Sequence, residues 1–244
     1  MRDLNYGAAR ILRRNRDGSY ATQAARSKII HQACNELHAL GYRNLKVENL
    51  KQKHIKALVG AWQSRSLTAG TIKNRMAHLR WLAEHIGKPG IIPKDNESLG
   101  IADRIYVDNQ DKGQTLQRLD AINNPYIQMS LRLQAAFGLR RCEAIKFIPQ
   151  YADRGGHLQL KPSWTKGGRA RTIPVTTDVQ RQVLNEARQL VGGASLIPSN
   201  KNYVEQLRVY ERVTAGAGFS KLHGLRHRYA QDRYQQLTGW HCPA

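Results

Sequence analysis

The run His223-Gly224-Leu225-Arg226-His227-Arg228-Tyr229-Ala230 opens a segment with helical spacing that extends to Leu237. A His and an Arg three residues apart at a helix start lie on one face. The imidazole exchanges a proton near neutrality, and the guanidinium offers a planar, two-pronged fork to an oxyanion. Such a pair arises often by chance, so the rest of the chain has to be read with it.

Two more basic islands precede it. The nearer is Trp164-Thr165-Lys166-Gly167-Gly168-Arg169-Ala170-Arg171-Thr172-Ile173-Pro174. Here Leu158, Leu160 and Trp164 alternate with polar residues, Lys166-Gly167-Gly168 turns the chain, and Thr172 to Val175 returns, which predicts a short antiparallel hairpin with a basic tip. The farther island is Gly138-Leu139-Arg140-Arg141-Cys142-Glu143, inside a strongly apolar segment from Ile127 to Ile148. Arg140 and Glu143 have the spacing of a pair on one helix face. Taken singly, the hairpin reads as a solvated turn and the Arg140–Glu143 pair as a helix-holding ion pair.

Outside the islands the pattern is helical. Apolar positions recur from Tyr20 to Leu40, from Val47 to Trp62, and from a Thr68 cap through Ile72, Met76, Leu79, Leu82 and Ile86. Further helices are expected over 177–191 and 203–215, with a shorter amphipathic piece at Leu116, Leu119 and Ile122. Residues 1–18, polar and rich in Arg, read as a loose basic leader. Pro89, Gly90, Pro93 and Gly100 mark a connector. The expected organisation is a helical domain over 1–92, a linker over 93–112 and a second domain over 113–244, mainly α with one small antiparallel sheet.

Composition narrows the function class. Thirty-nine Lys plus Arg stand against 18 Asp plus Glu, a net charge of +21, and the isoelectric point is about 10.3. Such an excess repels itself unless a polyanion is near, and nucleic acid leads among polyanions because each neutralised phosphate releases counterions. A basic ribosomal or membrane-surface protein is the bland alternative. No apolar run approaches the roughly 18 residues of a membrane span, so a membrane is not an expected partner. Cys34, Cys142 and Cys242 form no metal or disulfide spacing pattern, which points to a reduced, cytoplasmic setting. On the face of the third helix opposite its apolar stripe, Lys73, Arg75, His78 and Arg80 are candidate nucleic-acid contacts.

The order of the islands carries more weight than any one of them. Gly-Leu-Arg-x-x-Glu, then a hairpin Lys, then His-x-Leu-Arg-His opening a helix resembles the tyrosine recombinase (phage-type integrase) family. The run from Thr68 to Arg80 is similar to that family's SAM-like core-binding domain, and the resemblance spans about residues 20–235. It implies metal-independent cleavage and rejoining of duplex DNA through a 3′-phosphotyrosyl link, with no cofactor. Protein cations must then meet the charge that develops on phosphorus. By motif match, Arg140 and Arg226 would grip the nonbridging oxygens. Lys166 would protonate the leaving 5′-oxygen, His223 would assist proton transfer, and Glu143 would orient Arg140. Arg141 and Lys161 are the competing positions for the first arginine and the lysine. Arg169, Arg171 and His227 are expected DNA contacts.

The implied setting is a bacterial, nucleoid-associated recombinase of a prophage or other mobile element. It would form a tetramer on DNA, with an accessory DNA-bending protein as a further partner. The family's nucleophilic tyrosine usually follows the second arginine by several tens of residues, whereas Ala244 lies 18 residues past Arg226. The expectation is therefore a chain cut off before its nucleophile, with Tyr229 and Tyr234 too close to Arg226 to replace it. A non-catalytic DNA-binding or regulatory fragment, and an RNA-binding basic protein, are the alternatives.

Overall fold

A computed structural model of the chain describes residues 2–105 and 110–242. Helices dominate, and the chain divides into two compact units, residues 1–108 and 109–244.

The first unit holds four α-helices: α1 (Asp3–Arg14), α2 (Tyr20–Ala39), α3 (Gln52–Ser64) and α4 (Ala69–His85). Side-chain caps start two of them. Ser19 Oγ accepts from the Thr22 amide and Thr68 Oγ1 from the Thr71 amide, each satisfying an amide that has no partner inside the helix. Leu37, Val47, Leu58, Trp62, Met76 and Leu79 are buried together. Residues 1–18 are not a loose leader, because α1 occupies most of them. Leu4 and Ala8 bury one face at helical spacing while the arginines stay at the surface. Gly7 is needed where α1 meets the next turn, since a Cβ there would stand 2.6 Å from Val47 Cγ1. The stretch expected to begin a linker contributes Leu99 and Ile101 to this same core.

The second unit begins its regular structure with α5 (Pro125–Phe137), capped by the Asn124 side chain. It continues through α6 (Arg141–Ile145), α7 (Pro149–Ala152), β1 (His157–Leu160), β2 (Arg171–Pro174), α8 (Asp178–Val191), α9 (Tyr203–Gly216) and α10 (Gly224–Thr238). The apolar segment from 127 to 148 is two helices, not one, because Gly138 takes φ +58° and ends α5. Residues 116–122 form only a short 3-10 turn at Leu119–Ala121. The sheet is the expected antiparallel pair, with Leu158 opposite Ile173 and Leu160 opposite Arg171.

Helix α5 is apolar nearly all round and serves two cores. Met129, Leu133 and Phe137 face the sheet and α8 with Phe147, Leu158, Ile173 and Leu184. Ile127 and Leu131 face Ile145, Tyr210 and Leu225. Sandwiching α5 in this way fixes its C-terminus, and so fixes where Arg140 emerges.

Candidate phosphate-binding site

The site starts at the turn after α5. Gly138 is required twice over: its positive φ suits glycine, and a Cβ would come within 2.4 Å of Tyr229 Cδ1. Leu139 is buried next door. Arg140 then takes extended backbone angles as the residue before α6, and its amide has no helical partner. Glu143, one turn on, supplies it: Oε2 accepts from the Arg140 amide at 2.7 Å, and Oε1 accepts from Arg140 Nη1 at 2.9 Å. The pairing predicted from the three-residue spacing is therefore made through both backbone and side chain.

A third donor reaches that carboxylate from the hairpin. Arg171 Nη2 donates to Glu143 Oε2 at 2.8 Å. Glu143 is 0 % exposed, so one buried carboxylate stands between two guanidiniums, and Arg140 keeps 34 % of its side-chain surface open. From the start of α10, Arg226 Nη1 donates to the Gly138 carbonyl. His223 sits just ahead of α10, its ring centroid 5.1 Å from that of His227 at an interplanar angle of 88°. A cleft of about 210 Å³ is walled by Gly138, Arg171, His223, Arg226, His227 and Tyr229. A larger cleft of about 660 Å³ shares His223 and adds Arg140, Arg141, Cys142, Tyr203 and Lys221.

Charge is concentrated and incompletely cancelled. Burial lowers the pKa of Arg226, and the neighbouring Arg171 and Arg140 lower it further. Burial also lowers that of Arg171, opposed by Glu143 and reinforced by Arg140. Burial, then His227, Arg226 and Arg140, hold His223 below the ordinary imidazole range. A half-buried set of like charges of this kind is costly for the fold and suited to binding an anion.

The remaining expected residues fall elsewhere. Lys166 and Arg169 are exposed on the hairpin turn, where Gly167 and Gly168 both take positive φ. The competing Lys161 lies with Nζ 4.3 Å from the Tyr151 ring centroid and 5.5 Å from that of Trp164, and Arg141 pairs with Glu211 on α9. In the first unit, Lys73 pairs with Asp103 and Arg75 pairs with Glu36 while lying over the Trp62 ring. Arg80 donates to the Pro93 carbonyl and Asn96. The two residues that sequence reading did not place in the cluster are Arg171 and Tyr229. Arg171 had a signal: it shares a strand face with buried Ile173, two residues on, so its side chain points inward.

Residues 1–92 match the family described as phage integrase, N-terminal, and residues 102–232 match the one described as integrase. The chain belongs to the phage-type integrase family of tyrosine recombinases. Solved structures agree on the fold of this integrase. A dimer of lambda integrase residues 75–356 bound to a COC' core site aligns with TM-score 0.66 at 16% identity, covering 96% of this chain and 87% of that one. The Tn1549 transposon integrase in complex with circular intermediate DNA gives 0.58 at 13%, covering 98% and 89%. The XerH recombinase bound to difH substrate gives 0.58 at 15%, covering 95% and 74%. No curated protein matches the integrase. The mainly helical architecture with a small antiparallel sheet is the one the sequence implied.

Proposed function

We propose that this integrase grips one phosphodiester of duplex DNA between Arg140 and Arg226 in a site-specific recombination reaction that integrates or excises a mobile element. The observation that carries the reading is the convergence of guanidiniums from the turn after α5, from β2 and from the start of α10, with His223 among them. In-line attack on a phosphodiester places growing negative charge on the nonbridging oxygens, and preorganised cations in a half-dry cleft meet it without reorganising. Arg140 and Arg226 bind those oxygens. His223, held below the ordinary imidazole range by its surroundings, is suited to accept a proton. Lys166, on the exposed hairpin turn, is the general acid for the leaving 5′-oxygen, and Lys73, Arg75, Arg169 and His227 are secondary DNA contacts, a set that leaves out Arg80 because Pro93 and Asn96 already engage it.

The nucleophile is proposed to lie outside the tyrosines lining the two clefts. Burial raises the pKa of Tyr203 and Tyr229 and pushes that of Tyr210 up to about 12, whereas an attacking phenol needs an adjacent base or a lowered pKa. Tyr234 lines neither cleft. This observation favours a second reading, in which the polypeptide binds its site without forming the covalent intermediate. Lambda integrase is described as a tetramer bound to a Holliday junction, and the same assembly on DNA is proposed here, within the cytoplasm and at the nucleoid.

Incubation with a nicked suicide duplex of an attachment-type site tests both points. Retention of the duplex over structured RNA at moderate salt is expected, without a covalent adduct. An adduct would overturn the placement of the nucleophile, and preference for RNA would overturn the DNA reading.

A further inference from the structure

The pair Arg140–Glu143 poses a problem for a phosphate site. A guanidinium bound by a buried carboxylate is neutralised by it, and a neutralised pair is a weak anion receptor. Arg171 changes that balance. Its Nη2 shares Glu143 Oε2 with the Arg140 amide, leaving Oε1 to Arg140 Nη1. Three guanidiniums, Arg140, Arg171 and Arg226, then stand against one carboxylate, and the cluster keeps a net charge of +2. Phosphodiester cleavage passes through a phosphorane-like state carrying about two negative charges.

Arg171 is also poorly explained as a fold stabiliser. Its Nε is buried with no hydrogen-bond partner. It lies among like charges on a strand face where the next inward residue, Ile173, is apolar and packed. An apolar residue paired with an uncharged residue at 143 would fill that position at less cost. A residue retained in a costly arrangement beside a cleft that it lines fits a functional demand.

We propose that Arg171 is a positioning residue of the phosphate site, one that engages the Glu143 carboxylate so that Arg140 stays fixed and its positive charge stays available to the scissile phosphate. The proposal rests on the phosphate-site reading above.

Calorimetric titration of the whole chain with tungstate, a tetrahedral oxyanion, separates the two. In the parent protein, Arg140→Ala should weaken tungstate binding. If the parent binds none, or Arg140→Ala changes nothing, the phosphate-site reading fails and this proposal with it. If Arg140→Ala weakens binding but Arg171→Leu does not, only the proposal fails. Arg171→Leu is expected to weaken binding about tenfold, because the cluster drops to a net +1. The double variant Arg171→Leu/Glu143→Gln restores +2 and is expected to return within about threefold of the parent. A double variant as weak as Arg171→Leu would mean that Arg171 touches the anion directly or merely walls the cleft, and would overturn the proposal. Should Arg171→Leu fail to fold around an uncompensated Glu143, the double variant and Arg171→Lys, expected to bind within about threefold of the parent, still decide the matter.

Discussion

Two clusters of this basic chain, one in each unit, treat their arginines differently. In the first unit, Glu36 takes hydrogen bonds from Trp62, Arg65 and Arg75, and Arg26 makes a two-pronged pair with Asp17 beneath the Trp81 ring. Arg80 is spent on the carbonyl and side-chain oxygens of residues 93–96. Arg26 and Arg80 each have acceptors of their own, while Arg65 and Arg75 share Glu36. In the second unit, three guanidiniums crowd one carboxylate and a backbone carbonyl. Net charge alone would not tell these regions apart. The ratio of cation to carboxylate goes further: two guanidiniums share Glu36, three gather around Glu143, and the larger excess in a half-buried place suits an anion.

The largest effect expected from breaking this contrast is at Glu143. Replacing it by Ala leaves Arg140 and Arg171 facing each other without their shared counterion and strips the Arg140 amide of its acceptor. A loss of about 3–5 kcal/mol is expected for removing one member of a buried ionic set, read from the midpoint of urea unfolding. A loss below about 1 kcal/mol would show that the set relaxes into solvent.

Next in size is Arg226→Ala. Oxyanion donors of this kind are worth about a hundredfold to a thousandfold at the reacting phosphate, whereas duplex affinity is spread over many cations. Tungstate affinity is therefore expected to fall at least about tenfold while duplex retention changes less than about threefold, measured side by side. Equal losses in both would make Arg226 an ordinary backbone contact.

Arg80→Met gives the counterpart in the first unit. Its guanidinium is already engaged by Pro93 and Asn96, so the cost should appear as about 1–3 kcal/mol of stability. The salt dependence of duplex binding should stay unchanged. A fall of about one in the slope of log affinity against log salt would instead make Arg80 a phosphate contact.

These contrasts explain what could be read from the sequence. Helical periodicity located α2, α3, α4 and α8 because each buries one apolar stripe, and the Thr68 cap is a local interaction that its own residues encode. The Arg140–Glu143 pair was legible for the same reason, being local. The burial of α1 was not, because a helix rich in Arg shows its apolar face only once α2 is there to cover it. The engagement of Lys73, Arg75 and Arg80 was hidden as well, since their acceptors lie 13 to 39 residues away in sequence. Arg171 lies between these cases. Its strand parity with Ile173 carried an unread signal that it points inward, and its partner comes from a helix 28 residues earlier.

The smallest effect concerns two histidines whose pKa values are both lowered chiefly by burial but whose charged neighbours differ. His54, in the first unit, is depressed by burial and then by Lys53 and Lys51, and its Nδ1 accepts from the Lys51 amide. His223 is depressed by burial and then by His227, Arg226 and Arg140. In both, the folded state holds protons less tightly than the unfolded chain. Each therefore favours folding fully above the unfolded imidazole value, near pH 6.5, and the advantage is lost as pH falls from there through the lower folded value. Thermal stability should decline from pH 7.5 toward 5, with a shallower decline in His54→Gln. A bound oxyanion separates the two histidines. It offsets the cationic field of Arg226 and Arg140 at His223 and should move its ionisation upward, while His54, whose charged neighbours are Lys53 and Lys51, should not respond. Imidazole proton shifts followed by NMR with and without saturating tungstate report both rings in one titration. If His223 stays where it was while tungstate is bound, the anion does not sit among the arginines of the cluster, and the excess charge there needs another explanation.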